Sequence, residues 1–530
     1  MTNSICEPKS SDLIFIIGAN PRENHPVIGA KIKQAKRNNS KLILADPREI
    51  DLSEDADVYM QVNVGANIAL INGMIHVIIS ENLTDDRYIK EHTEGYEELK
   101  EMVKKYTPEM ASQICGVAPE KIIEAARLYA TSKASSIYYA MGITQFKTGT
   151  NAVISLSNLA LITGQIGRPG TGINPLRGQN NVQGSCDMGA FPDTLPGYKS
   201  IKDETFRELY KKEWGAELPS EVGLTLTQMM NAAHHKDLKL LFVMGENPVV
   251  SDPDTTHIIQ SLESLDFLVV QDIFMTETAK YADLILPALS FAEKDGTFTN
   301  TERKVQRVRA AIKGCGIAKP DWLIFTELMN EFGYDVHYDS PADVMDEMAR
   351  LIPQYAGISY DRIEKEGLQW PVKDKNHPGT PILHVGGPMR GKGLIIPVEY
   401  DLPAESVDEK YPYVLTNGRN LYHYHTRTMT AKTEGLHKKS PDSYIEINPL
   451  TCKEIGVEDG DMVTVTSRVG TIKTRVVKTK KILKGTVFMP FHFAEGSANM
   501  LVGAGAIDGK SGQIELKLTT VSIEKYEVGK

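Results

Sequence analysis

The chain has no Cys-x-x-Cys pair, and its five cysteines (Cys6, Cys115, Cys186, Cys315 and Cys452) are odd in number and far apart. A local iron–sulfur or zinc site therefore has no support, and the pattern suits a reducing cytoplasm better than a disulfide framework. No run of about 20 apolar residues is present to span a bilayer. The opening MTNSICEPKSSDLIFIIGANP has no basic n-region, and its short apolar run ends in Gly-Ala-Asn-Pro, unlike a signal peptide. Basic residues are outnumbered, 59 Lys and Arg against 69 Asp and Glu. That balance argues against nucleic acid as a partner, and it leaves a small anionic substrate dependent on a local positive site. No Gly-x-Ser-x-Gly follows a strand, and Ser185 sits in Gly-Ser-Cys-Asp without the context of a hydrolase elbow.

What is present reads as an α/β protein. DLIFIIG predicts a strand, VIGAKIKQAKRNN a helix and KLILADPR a second strand, which together make a βαβ unit. Asp46 ends the second strand, where an acid can accept hydrogen bonds from a ribose or a base edge. The pattern returns in LKLLFVMGENP, THIIQSLESL and DFLVVQD. Gly18 precedes Asp46 by 28 residues and Gly245 precedes Asp272 by 27; Asp57 and Asp283 each follow their aspartate by 11. Neither loop is Gly-x-Gly-x-x-Gly, and one copy alone could be an ordinary tight turn. Two copies with matched spacing predict two related nucleotide-binding units.

The expected organisation is two related doubly wound nucleotide-binding domains plus a C-terminal β-barrel cap domain. Residues 1–177 form the first α/β domain, 178–292 the second (incomplete), 293–400 a mixed helical and connecting region, and 401–530 the barrel. PVKDKNHPGTPILHVGGPMRGKG reads as a linker, and the alternation after Tyr411 reads as a small closed barrel.

Between the α/β units lies NPLRGQNNVQGSCDMGA, a polar loop with one cation. Arg177 could organise the loop by bonding backbone carbonyls, or its planar fork could hold a carboxylate bidentately. Gln179, Asn180, Asn181 and Gln183 could grip a polar heterocycle without adding charge. Cys186 could be a nucleophile beside Arg177 or an inert buried thiol, the reading we favour. His423 and His425 are two apart, which on a strand puts both rings on one face, as in metal sites. With Arg419, Asn420 and Arg427 nearby and no carboxylate or cysteine to complete a shell, contact with an anionic or heterocyclic ligand is the preferred reading and no metal ligand is assigned. His234 and His235 read as a solvated loop pair.

These residues resemble the catalytic subunits of molybdopterin-dependent formate dehydrogenases. The likeness is carried by the RGQNNVQG run and by IIGANPRENHPVIG, YAMGITQFKTGTNAV, MGENP, VVQDIFMTETAKYADLILP, TFTNTERKVQ and HYHTRTMT, spread over nearly the whole chain. It implies two molybdopterin guanine dinucleotides around one molybdenum or tungsten atom. It also implies that Asn20, Asp46, Arg48 and Asn67 contact one guanine nucleotide, and Gly245, Glu246, Asn247, Gln271 and Asp272 the other. Met141, Gly142, Gln145 and Gln179 would line the pterins, with Arg419, His423, His425, Asn499 and Lys517 contributed by the barrel, and Arg177 would fix formate beside the metal. An iron–sulfur or flavin electron-transfer subunit is the implied partner, with no nucleic acid and no membrane span.

The family's cysteine-rich [4Fe–4S] domain, its metal-ligating selenocysteine or cysteine and the following histidine have no counterpart here. We expect a chain shortened at a selenocysteine codon, the rival being a natural split subunit, and in either case a sheet with unpaired edges and exposed apolar surface. Nitrate reductase and formylmethanofuran dehydrogenase are the alternatives within the superfamily, and a non-catalytic cofactor-binding fragment is the alternative outside catalysis. Molybdenum versus tungsten, the electron acceptor, the physiological direction and the oligomeric state are not written in these residues.

Overall fold

A computed structural model describes residues 1–527. It divides into two compact units, one formed by residues 1–176, 249–256 and 382 onward, the other by residues 177–248 and 257–381.

The first unit begins with β1 (Leu13–Ile17), α1 (Pro26–Arg37), β2 (Lys41–Ala45), β3 (Val58–Met60) and α2 (Asn67–Ser80). It continues through α3 (Pro119–Thr131), β4 (Ser135–Tyr139), α4 (Gly149–Ile162) and β5 (Gly172–Pro175). The sheet order is β3-β2-β1-β4-β5, parallel throughout. Every residue of β1 is buried because the sheet is covered on both faces. Leu13, Phe15 and Ile17 join one core with Ile71 and Ile75 of α2 and Leu159 of α4. The alternate residues Ile14 and Ile16 join another with Ile28 and Ile32 of α1. An unbroken apolar run is thus a strand between two helical layers.

The second unit contains α5 (Val182–Asp187), α6 (Glu204–Trp214), α7 (Leu226–His234), β6 (Leu240–Met244), β7 (Phe267–Asp272) and β8 (Leu284–Pro287). Its parallel sheet has the order β8-β7-β6, leaving β6 at an edge, and Leu240, Met244, Phe267 and Leu284 are exposed. An antiparallel pair follows, β9 (Gly296–Thr299) with β10 (Lys304–Val308), then α8 (Asp321–Glu331) and α9 (Pro341–Leu351).

The repeat inferred from spacing has an atomic counterpart. Gly18 N–H donates to the carbonyl of Ala45 (3.0 Å) and Gly245 N–H to that of Gln271 (2.9 Å), both glycines having φ near +60°. Asp57 accepts the backbone N–H of Leu42 (2.8 Å) and Asp283 that of Leu268 (2.7 Å). Asp46 and Asp272 each accept the N–H two residues ahead, from Arg48 and Phe274.

The boundaries fall elsewhere than the sequence suggested. Residues 293–381 do not merely connect: Val305, Met345, Tyr355 and Val372 share a core with Leu195, Ile201 and Tyr210. The Pro/Gly-rich stretch does not swing free as a linker: Val372 enters the second unit's core and Leu383 N–H donates to the Thr2 carbonyl (2.8 Å), and the residues just after it are held as well. Asn72 donates to the carbonyl of Val398 (2.8 Å) and Asn158 to that of Ile396 (2.7 Å), while Ile395 and Val398 enter the first unit's core. Composition reports local freedom, whereas these amides satisfy backbone groups from more than 200 residues away.

The barrel also belongs to the first unit. Its strands are β11 (Tyr413–Gly418), β12 (Tyr444–Ile447), β13 (Met462–Thr466), β14 (Thr471–Lys478), β15 (Thr486–Pro490) and β16 (Thr519–Lys525), closing in the order β11-β15-β12-β14-β13-β16. Ile472, Thr474 and Val476 of β14 are buried while their neighbours are not, the period-2 pattern of a small barrel. Arg48 joins barrel to sheet: its fork donates to both oxygens of Glu446 at 2.7 Å, over the ring of Phe488. Among the described residues no helix is long and apolar enough to cross a membrane.

The two loop glycines differ in one respect. A Cβ on Gly18 would meet the carbonyl carbon of Gly142 at 2.6 Å, whereas one on Gly245 meets nothing within 4 Å. Gly245→Ala is therefore expected to cost about 1–2 kcal/mol for its left-handed backbone, and Gly18→Ala about 2–5 kcal/mol with the overlap added. Equal losses in urea unfolding of the two variants would contradict this.

Candidate functional site

In the first unit the ends of β1 and β4 cross without side chains. Gly142 N–H donates to the carbonyl of Gly18 (3.0 Å), and Asn67, the first residue of α2, donates from Nδ2 to the carbonyl of Gly142 (3.1 Å). Asn20 follows Gly18, its Oδ1 buried and without a hydrogen-bond partner. Asp46 keeps some accessible surface, yet burial pushes its carboxyl up to about 7 against the pull of the Arg48 N–H and guanidinium.

The barrel supplies the opposite charge. Burial pushes the Lys517 ammonium down to about 7, with Arg419 adding to the fall and Asp46 opposing it. Lys517 Nζ donates to the carbonyl (2.9 Å) and Oδ1 (3.2 Å) of Asn417, and the Gln145 carbonyl accepts the N–H groups of Leu516 and Lys517. Arg419 Nη2 lies 3.9 Å from Met141 Sδ. Asn20, Asp46, Asn67, Met141, Gly142, Gln145, Arg419 and Lys517 therefore gather where the sheet's carboxyl ends meet the barrel. Arg48 is at hand, but its fork is committed to Glu446.

Other barrel residues are used within the fold. The spacing argument for His423 and His425 assumed a strand, but β11 ends at Gly418. His423 places Nδ1 on Thr430 Oγ1 (3.0 Å) and Nε2 on the Ser440 carbonyl (2.7 Å). His425 sits at φ +46°, its ring edge-on to Phe491. Asn499 donates to the carbonyls of Val250 (2.8 Å) and Ser251 (2.9 Å), fastening residues 249–256. The sequence reading missed His492, a lone histidine in FMPFHF that has no accessible surface. Its Nε2 accepts the Asn420 N–H (2.9 Å) and its Nδ1 faces the His425 carbonyl, so the neutral tautomer holds that loop.

In the second unit, Gly245 is exposed at the end of β6. Gln271 is buried; its Nε2 donates to Asp321 (2.7 Å) and its Oε1 is unmatched. Burial raises the Asp272 carboxyl, with Glu246 adding to the rise and the N–H groups of Phe274 and Ile273 opposing it. Asn247 braces the next turn, accepting from Thr278 N–H and Oγ1 and donating to Glu277.

Arg177 opens the same unit. Its backbone N–H donates to Thr301 Oγ1 (3.1 Å), its Nη1 lies 3.5 Å from Cys186 Sγ, and its Nε is buried without a partner. Among the described residues it forms no ion pair. Gln179 is half-buried on the following turn. The arrangement offers a permanently charged fork with open hydrogen-bonding capacity, which a carboxylate would satisfy. No three His, Cys, Asp or Glu side chains gather in a metal-holding group among the described residues.

The chain belongs to the molybdopterin oxidoreductase family, whose model matches residues 1–331; residues 413–520, which include most of the barrel, match the molybdopterin dinucleotide-binding domain. Its curated relatives include the F420-dependent formate dehydrogenase subunit alpha of Methanocaldococcus jannaschii, 49% identical over 99% of this chain and 78% of that one. Formate dehydrogenase H of Escherichia coli is 39% identical over 95% of this chain and 71% of its own length. Among solved structures, acetylene hydratase from Pelobacter acetylenicus shares the fold, with a TM-score of 0.77 at 21% identity over 99% of this chain and 79% of that one.

His492 makes a pH prediction. Burial pushes its imidazole from the ordinary 6.5 down to about 3. The unfolded chain therefore binds the extra proton first, and this contribution to stability is whole above pH 6.5 and lost as pH falls toward 3. His492→Gln keeps a donor and an acceptor but cannot titrate. The native denaturation midpoint should fall more steeply between pH 6.5 and 4 than the variant's; parallel curves would refute the assignment.

Proposed function

We propose that the chain is the catalytic portion of a formate dehydrogenase, converting formate to carbon dioxide, one proton and two electrons, or running the reverse. The observation that carries the reading is Arg177, a partly buried guanidinium with no counter-ion among the described residues, in a family whose members named above include formate dehydrogenase subunits.

The residues present fit a pterin dinucleotide. The glycine crossing packs the Gly18 and Gly142 backbones together at the sheet's carboxyl end, Asn20 Oδ1 and Gln271 Oε1 want donors, and Asp46 and Asp272 are poised to accept from a guanine edge. In this reading two molybdopterin guanine dinucleotides are held, one by Asn20, Asp46, Asn67 and Lys517, the other by Gly245, Asn247, Gln271 and Asp272. Met141, Gly142, Gln145, Gln179 and Arg419 face the pterins. Arg48, His423, His425 and Asn499 act one step back, shaping the loops that reach the ligand. When bound, the molybdenum or tungsten cofactor would supply the acceptor for the electron pair.

The chain's own part is binding and orientation. Arg177 takes the two formate oxygens in its fork, which fixes the direction of the C–H bond and meets the negative charge. The carboxamides beside it donate to polar groups without competing for that charge. The resemblance also implies a [4Fe–4S] cluster and a selenocysteine or cysteine metal ligand. Electrons then pass to an iron–sulfur or flavin subunit, in the cytoplasm.

Arg177→Lys should retain metal and pterin yet lose about 100-fold in kcat/KM for formate-dependent dye reduction, because an ammonium cannot remake two parallel hydrogen bonds. Near-native turnover would remove Arg177 from the role. Bound cofactor without any dye reduction in the native protein would favour a non-catalytic binder, and nitrate-dependent dye oxidation would favour a nitrate reductase.

A further inference from the structure

Ten residues beyond Arg177 lies a carboxylate that the reaction above does not use. Asp187, the last residue of α5, is 1% exposed and forms no salt bridge among the described residues. Its Oδ1 accepts from Gln183 Nε2 (2.8 Å) and the Tyr198 hydroxyl (2.9 Å), and its Oδ2 from the Tyr355 hydroxyl (2.6 Å) and Trp370 Nε1 (2.8 Å). Both oxygens act only as acceptors, from three separate stretches of chain. Four neutral donors around a buried carboxylate fix its position more tightly than one flexible cation would.

The bonds continue to Arg177 in two directions. Asp187 is the neighbour of Cys186, whose Sγ rests against Arg177 Nη1. On the other side, the Trp370 carbonyl accepts from Arg303 Nη1, and Arg303 lies two residues from Thr301, whose Oγ1 receives the Arg177 N–H. The Arg303 guanidinium stands 5.5 Å from the Trp370 ring centroid and also donates to the Thr380 carbonyl (3.0 Å). Burial lowers Arg303 to about 10, opposed by Glu302 and then Asp187. The path from Arg177 through Cys186 and Asp187 to Trp370, and back through Arg303 and Thr301, is closed.

We propose that Asp187 is a positioning residue for Arg177: through the closed path by way of Trp370 it holds the guanidinium in the orientation that receives the substrate carboxylate. The proposal rests on the reading of Arg177 given above. It separates residues that touch Asp187 alike but differ in their place on the path. Tyr198 and Trp370 both donate to Asp187, yet Trp370 leads back to Thr301 through Arg303 while the Tyr198 hydroxyl meets only Gln183 besides among the described residues; Tyr355, through Thr299 Oγ1 (3.1 Å), lies on a second way back to Thr301. Asp187→Asn sets an amide N–H₂ against two donors on one side.

The test uses the cofactor-loaded enzyme and compares Asp187→Asn, Trp370→Phe and Tyr198→Phe. Trp370→Phe is the safeguard should Asp187→Asn fold poorly, since it deletes one N–H and keeps a ring beside Arg303. Asp187→Asn and Trp370→Phe should raise KM for formate about tenfold at nearly constant kcat per bound pterin, with Tyr198→Phe within about twofold. A second readout needs no turnover: iodoacetamide labelling of Cys186, followed by mass spectrometry, should run about tenfold faster in the first two variants, because a loosened Arg177 uncovers the thiol. Unchanged KM and unchanged labelling in Trp370→Phe would overturn the proposal, as would equal effects of Trp370→Phe and Tyr198→Phe. If the native enzyme oxidises no formate, the functional reading fails, and the labelling alone decides whether Asp187 positions Arg177.

Discussion

A charge taken out of water must be met by something, because the penalty is several kcal/mol for each ion. Much of this molecule is arranged around that constraint. Asp187 is met by four neutral donors, and Arg48 and Glu446 by each other, closing the barrel against the first sheet. Asp46 and Lys517 are not fully met, and burial drives each to about 7 from opposite directions. Arg177 is left with a thiol and an unmatched Nε. The fully satisfied charges hold the frame, and the incompletely satisfied ones are the groups assigned to ligands.

The doubled α/β unit shows how such places are built. A parallel strand must turn sharply at its carboxyl end before the chain returns through a helix. In both copies a left-handed glycine makes the turn, and an aspartate at the next strand's end accepts its own loop's N–H. A second aspartate caps the start of the neighbouring strand. The copies diverge in support: the first carries two helical layers and the barrel, the second a three-stranded sheet with exposed apolar residues.

Legibility followed the range of the interaction. LIFII and KLILA announce buried parallel strands because each residue's own apolarity is the signal, and the matched aspartate spacing exposed the repeat. His423 shows the limit. Its spacing from His425 suggested two rings on one face, but the strand stops at Gly418 and both ring nitrogens close a loop reaching Thr430 and Ser440. His492 was hidden among phenylalanines, where an apolar strand is the natural reading. Asn72, Asn158 and Asn499 look like ordinary polar residues; each turned out to satisfy backbone carbonyls of a distant segment.

By itself the sequence determined the α/β class, the repeated βαβ unit, the barrel and the polar loop around Arg177, since these rest on patterns of neighbouring residues and on charge. Only the tertiary structure decided that residues 293–381 share a core with 195–210, that Lys517 comes to face Asp46, and that Asp187 is tied to Tyr355 and Trp370. Those pairings join residues up to several hundred positions apart, and they depend on which backbone groups and charges the packed chain leaves to be satisfied, a quantity no local pattern contains.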